Sequence, residues 1–319
     1  MNAQAPKFPQ ATHIKTNGIN LSVHVAGEGK PLVLCHGWPE IAYSWRFQVP
    51  PLVEAGYQVI VPNQRGYATS DAPTKVEAYD CSQLCQDLLG LLDYFGHDEA
   101  VFVGHDWGAI VVWNLALMHP RRVSGVINLS VPYMRREKSE WVGFWEKMLG
   151  PDFYIVHFNR QPGVADAAFA ENPRQFLGNI YRTKAWLEPP PDPVPGMPFI
   201  HLARSSKPHG EPLMAESELE VFVRAFEQSG FTGGINWYRN FTRNWHLMAD
   251  FPERIEHPAL MIYGDYDAVP KGNNLQEIVP LVEEHSLPCG HWIQQECPEE
   301  TNRLMLEWLG RHYPASSLA

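Results

Sequence analysis

Positive charge is scarce in these 319 residues: 25 Lys and Arg stand against 36 Asp and Glu, a formal net charge of −11. A nucleic-acid binder needs a basic face, so that class is set aside. Cysteine is sparse too. Cys35, Cys81, Cys85, Cys289 and Cys297 are an odd number without framework spacing, which excludes a disulfide scaffold and reads as reduced thiols in a cytoplasmic protein. No apolar run reaches membrane-spanning length, and residues 1–10 lack the apolar core of a signal peptide. Internal repeats, a Gly-rich phosphate loop and metal-spaced His clusters are missing, so neither a metal nor an organic cofactor is expected. Aromatics, by contrast, are plentiful. They make up 12% of the chain and include 11 Trp, more than solubility requires, and they point to an apolar pocket for a small molecule.

The patterning divides the chain into three. Residues 20–26 alternate polar and apolar side chains, as a half-buried strand does. Short apolar runs at 31–35, 58–61, 100–103 and 123–129 read as further strands. Between them lie helical patterns at 42–49, resuming after Pro50-Pro51, and at 82–94. Strands alternating with helices imply an α/β fold, a mostly parallel sheet with helices on both faces. The rhythm stops at Pro132. Up to about His246 there are helical stretches such as 217–228, five Trp (141, 186, 145, 237 and 245) and a Pro-rich segment, 188–198, that reads as a loop or lid edge. It returns with strands at 259–263 and 285–287 and a helix at 298–312. The expected organisation is a core of residues 1–131 and 248–319 interrupted by an inserted helical cap, 132–247.

Residues 100–109, AVFVGHDWGA, run from a strand into G-x-D-x-G and on into a helical pattern. Small residues at both ends permit a sharp strand-to-helix turn, the nucleophile elbow, which lifts its central side chain above the sheet at a helix N-terminus. That side chain is Asp106, and the helix N-terminus is expected to keep it ionised. A carboxylate attacks amides and esters poorly. It attacks a saturated carbon bearing a leaving group well, giving a stable ester. The expected substrate is therefore an alkyl electrophile, an epoxide or an alkyl halide.

Partners follow in the order nucleophile, acid, His. Gly264-Asp265-Tyr266-Asp267 ends one strand, and Cys289-Gly290-His291-Trp292 ends the next. His291 fits a base that activates water, oriented by a carboxylate. That carboxylate is Asp267 or Asp265. Asp267 is favoured because G-x-x-D spacing carries it past the tight turn, where Asp265 would cap. After the strand at 31–35 comes His36-Gly37-Trp38-Pro39, whose Trp38 N–H would join the Trp107 N–H in an oxyanion hole. Opening an epoxide also needs a donor for the departing oxygen. Tyr suits, and the cap offers Tyr133, Tyr154, Tyr181 and Tyr238.

These residues resemble the epoxide hydrolases of the α/β-hydrolase fold, the soluble mammalian and bacterial type. The likeness runs from about residue 16 to 312. It comprises HGWPE at 36–40, GHDWGA at 104–109, DFYIVHF followed by QPGVADA in the cap, NWYRNF at 236–241, GDYD at 264–267 and CGHW at 289–292. The elbow and the Gly-His pair are shared with dehalogenases, whereas the cap segments are more specific. The resemblance implies that two cap tyrosines polarise the epoxide oxygen, Tyr154 and Tyr238. The link between the two cap motifs is one residue longer than the family pattern, so Phe153 and His157 stay beside Tyr154 as alternatives and as substrate-binding candidates, together with Trp38 and Trp107.

The expected reaction is epoxide to vicinal diol through an ester on Asp106, hydrolysed by water that His291 and Asp267 activate. The alternative is a haloalkane dehalogenase using the same Asp, with Trp107 in a halide-binding position. Against it stand Trp38, where those enzymes place Asn, and the paired tyrosines, which a departing halide does not need. A non-catalytic binding protein would be expected to lose Asp106 or His291. The expected partners are a small epoxide and water, with neither nucleic acid nor membrane, in a monomer or homodimer.

Overall fold

The computed structural model describes residues 8–185, 187 and 199–315; the Pro-rich segment 188–198 and Trp186 lie outside them. By internal contacts the chain falls into two units. The first comprises Met1–Gln64, Leu84–Met134 and Phe251–Ala319, and the second Arg65–Gln83 and Arg135–Asp250.

The first unit is built on strands β1 (Ala11–Thr16), β2 (Ile19–Ala26), β3 (Lys30–Cys35), β4 (Tyr57–Asn63), β5 (Ala100–His105) and β6 (Val123–Leu129). A two-residue pair, β7 (Arg182–Thr183) with β8 (Glu211–Pro212), stands apart in the second unit, and β9 (Ala259–Gly264) and β10 (Val282–Leu287) complete the large sheet. Its order is β1-β2-β4-β3-β5-β6-β9-β10. From β4 to β10 all pairings are parallel, whereas β1-β2 and β2-β4 are antiparallel. The parallel strands are nearly all apolar, as strands covered on both faces must be. The sequence reading overlooked β1. Its signal is Asn17-Gly18, where φ is 43° and 76°, the left-handed pair that a tight two-residue hairpin requires.

The helices are α1 (Val49–Glu54), α2 (Cys81–Phe95), α3 (Trp107–Met118), α4 (Trp141–Leu149), α5 (Tyr154–Arg160), α6 (Val164–Glu171), α7 (Pro173–Ile180), α8 (Phe199–Arg204), α9 (Glu216–Ser229), α10 (Thr232–Arg239), α11 (Phe241–Leu247), α12 (Leu275–Ile278), α13 (Ile293–Glu296) and α14 (Pro298–His312). The pattern at 42–49 resolves differently from its reading. A short 3₁₀ turn spans Ala42–Trp45, and α1 takes Pro50 and Pro51 into its first turn, where their missing N–H groups cost nothing. α3, WGAIVVWNLALM, is apolar around most of its circumference and is correspondingly buried. Leu32, Leu34, Val101, Ile127, Trp45 and Trp308 belong to the core cluster on the sheet.

The second unit is helical and held by aromatics. Phe169 and Phe176 stack at 4.0 Å and Phe226 and Phe231 at 4.7 Å, with Phe169 and Phe231 edge to face at 5.6 Å. Residues 65–83, which the sequence reading assigns to the core, belong to this unit. Side-chain hydrogen bonds explain it: the Trp237 indole N–H donates to the Arg65 carbonyl (3.2 Å), the Asn240 amide to the Val76 carbonyl (2.7 Å), and Arg243 pairs with Asp80 (2.7 Å). No helix among the described residues is long and apolar enough to cross a membrane.

Candidate active site

Asp106 is the single residue between β5 and α3, with φ 51° and ψ −118°. That backbone is costly for any residue but Gly and persists only where its surroundings impose it. Here close packing does so. A Cβ on Gly104 would lie 2.6 Å from the Ala109 backbone and from Asn128 Oδ1, and one on Gly108 would collide with the Cys35 carbonyl. Two glycines thus let α3 start directly against β3 and β5, and the turn between them raises the carboxylate.

The two carboxylate oxygens of Asp106 have different surroundings. Oδ1 accepts the Trp38 N–H at 2.8 Å, while Oδ2 lies 3.7 Å from His291 Nε2. Burial raises the Asp106 pKa above its ordinary value, opposed by the charges of His291 and His105 and by the Trp38 and Trp107 N–H groups. The helix terminus is therefore not the largest influence on this carboxylate. Removal from water is, and it acts in the opposite sense.

His291 Nδ1–H faces Asp267, 3.0 Å from Oδ1 and 3.1 Å from Oδ2. Asp267 Oδ1 also accepts the Val269 N–H at 2.9 Å, and Oδ2 the Ser130 hydroxyl at 2.7 Å. Burial works against the Asp267 anion, but His291 and these donors outweigh it and bring its pKa down to about 2. Burial likewise disfavours the His291 cation. The Asp267 and Asp106 carboxylates prevail and raise it to about 9. The structure separates the two carboxylates left open above: Asp265 is on the surface, bonded to Lys271 at 2.8 Å.

Beneath the nucleophile lies a buried pair that the sequence reading did not single out. Glu40 Oε2 accepts the Gly37 N–H at 2.7 Å and the His105 Nδ1–H at 2.6 Å, and Glu40 Oε1 accepts the Gln294 amide at 2.9 Å. His105 Nε2–H donates to the His291 carbonyl at 2.8 Å. The imidazole thus bridges the Glu40 carboxylate and the backbone of the His291 loop. One carboxylate thereby connects the Trp38 loop, the end of β5 and the His291 loop. The sequence signal was a Glu and a His adjacent to functional residues, in HGWPE and GHDWG.

Tyr154 and Tyr238 belong to the helical unit, at the start of α5 and near the end of α10, with ring centroids 5.7 Å apart. Phe153 packs on Tyr154 at 4.9 Å, and His157 is buried one turn further along α5, where loss of water lowers its pKa. Arg239 fixes the two helices: it donates to the Phe158 carbonyl (3.1 Å) and pairs with Asp166 (2.6 Å). The Asn159 amide donates to the Tyr238 carbonyl at 3.1 Å. Tyr181 packs on Phe222 instead, at 4.8 Å. Among the described residues no group of three or more His, Cys, Asp or Glu could hold a metal.

Residues 30–298 match the α/β-hydrolase fold family. Epoxide hydrolase A of Mycobacterium tuberculosis is 41% identical over 316 residues, covering 94% of this chain and 97% of that protein. Bifunctional epoxide hydrolase 2 of Sus scrofa is 36% identical over 92% of this chain and 53% of its own, so this chain spans about half of that relative. Among solved structures, epoxide hydrolase A from Mycobacterium thermoresistibile matches with a TM-score of 0.86 at 39% identity, covering 95% of this chain and 98% of that one. The chain belongs to the α/β-hydrolase fold family and, within it, to the epoxide hydrolase type.

Proposed function

We propose that this chain hydrolyses epoxides to vicinal diols through a covalent ester on Asp106. The observation that supports it is the unequal placement of the two Asp106 oxygens. Oδ1, held by the Trp38 N–H, is suited to become the ester carbonyl oxygen, and Oδ2 is the oxygen left to attack. In the first step Oδ2 bonds to an epoxide carbon, the C–O bond breaks, and the departing oxygen takes a proton. Tyr154 and Tyr238 are assigned that donation, on the family resemblance and on their pairing within the helical unit. Phe153 and His157 are assigned to substrate binding beside them.

In the second step water attacks the ester carbonyl carbon. His291 Nε2 takes its proton, and the oxyanion sits on the Trp38 and Trp107 N–H groups. Collapse breaks the bond between the acyl carbon and the substrate oxygen, which takes that proton back from His291 to complete the diol. The carboxyl left on Asp106 gives up water's other proton, which replaces the one donated to the departing oxygen in the first step, and the carboxylate is restored. A positioned base contributes roughly 10²–10⁴-fold and one oxyanion donor about 10²–10³-fold. The electrostatics suit this order. In the free enzyme two carboxylates hold a proton on His291. Esterification neutralises Asp106, one of the two, so the His291 pKa falls and the imidazole becomes available as a base when water must be activated.

A single turnover in oxygen-18 water, with enzyme in excess over styrene oxide, tests the reading. The attacking oxygen comes from Asp106, so the first diol is expected to carry almost no solvent label while Asp106 gains it. A fully labelled first diol would mean that water attacks the epoxide directly and that Asp106 is a base.

A further inference from the structure

We propose that Ser130 is a positioning residue for the second half of the reaction: its hydroxyl holds Asp267 and, through it, the His291 imidazole in the orientation that activates water. The inference rests on the two-step reading above and deepens it.

Ser130 directly follows β6, and its backbone is left-handed, with φ 69°. For a residue with a Cβ this conformation has a cost and is held in place by its neighbours. Here its N–H donates to the Ile262 carbonyl of β9 at 3.0 Å, and the Val131 N–H turns back to the Leu129 carbonyl at 2.9 Å. The chain is thus turned out of β6 while Ser130 stays bonded to β9, the strand whose following loop carries Asp267. The side chain then reaches that carboxylate, donating to Oδ2 at 2.7 Å, and its oxygen lies 3.2 Å from His291 Nδ1.

Asp267 Oδ1 is held by the Val269 N–H, whereas Oδ2 has the Ser130 hydroxyl. Together they fix the carboxylate plane so that both oxygens face Nδ1 at 3.0 and 3.1 Å. Nδ1–H meets three acceptor oxygens, those of Asp267 and that of Ser130, which places the proton on Nδ1 and leaves the Nε2 lone pair toward Asp106 for the base step. Ring opening requires no base, so Ser130 has no part in it. A hydroxyl that merely stabilised the fold would affect both steps.

The test separates the steps by mass spectrometry of quenched enzyme, in excess over styrene oxide, following appearance and decay of the alkyl adduct. Ser130→Ala keeps the Cβ and removes the hydroxyl; Ser130→Gly removes the hydroxyl and relaxes the backbone. Both are expected to form the adduct at the wild-type rate and to hydrolyse it roughly tenfold or more slowly, from loss of a hydrogen bond to a charged group. Equal slowing of both steps, or of neither, overturns the assignment. Slow hydrolysis in Ser130→Ala with normal hydrolysis in Ser130→Gly also overturns it, because the backbone rather than the hydroxyl would then matter. If His291→Gln traps an adduct and both Ser130 variants hydrolyse normally, only the role of Ser130 falls. If no variant forms an adduct, the covalent reading fails and Ser130 with it.

Discussion

Asp106, His291 and Asp267 form a chain of charges in which each protonation state depends on the next. Replacing His291 by Gln removes the proposed base while leaving Asp106 and the Trp38 N–H in place. The ester is therefore expected to form and persist, and intact-mass spectrometry should show a gain equal to the mass of styrene oxide; an unmodified protein would count against His291 as the hydrolytic base. In the proposed mechanism the tyrosines act at the other step. Tyr154→Phe and Tyr238→Phe are each expected to slow adduct formation, and the double variant to be nearly inactive, since no donor remains for the alkoxide. Full activity of Tyr154→Phe in stopped-flow measurements would move that role to a neighbour such as His157. At this scale the sequence was highly legible for residues beside glycines in tight turns, because the turn geometry is local. Asp267 and Asp265 were harder to tell apart. Both follow the same strand, and only the distance to His291, some two dozen residues on, separates them.

The element that matters most is the junction of β5 and α3. Its conformation depends on two close approaches, at Gly104 and Gly108, where a side chain would meet backbone atoms that cannot move aside. Gly108→Ala is expected to destabilise the protein by about 1–3 kcal/mol or more, the usual cost of overpacking, and to disturb the Asp106 backbone. A lowered thermal midpoint with lost activity would agree; wild-type values for both would show that the junction tolerates a Cβ. Among elements, the parallel strands were readable as short apolar runs and the amphipathic helices by their period. β1 escaped because its outer face is exposed and its pattern weak; the Asn17-Gly18 turn was the better signal. Residues 65–83 escaped for another reason. They join the helical unit through single hydrogen bonds from Trp237 and Asn240, which leave no periodic trace in the sequence.

For the whole molecule the ionisation of the site is also a term in stability. His291 is raised from 6.5 to about 9 in the folded state. Its contribution is fully present below pH 6.5 and is lost as pH rises toward about 9. Asp267 is lowered from 3.8 to about 2, so its contribution is present above pH 3.8 and disappears as pH falls toward about 2. Thermal midpoints measured across both windows are expected to decline at each end, and His291→Gln is expected to flatten the alkaline decline. An unchanged alkaline slope in that variant would show that the pair does not couple to folding. The acidic surface, with its net charge of −11, adds self-repulsion over the same alkaline range in both proteins. The comparison between variants is therefore the informative one.

Sequence alone determined where the candidate site lies. A carboxylate between two glycines, where a strand runs into a helix, is legible because the backbone geometry of the turn and the residue type at its centre are both local properties. It also determined the α/β alternation, since burial on both faces of a parallel sheet requires uninterrupted apolar runs. Only the tertiary structure decided which oxygen of Asp106 faces His291, that Glu40 and His105 tie the Trp38 loop, the end of β5 and the His291 loop together, and that Ser130 reaches Asp267. Each of these depends on a hydrogen bond between residues far apart in the chain, and such bonds are set by how strands are ordered in the sheet rather than by any pattern along it.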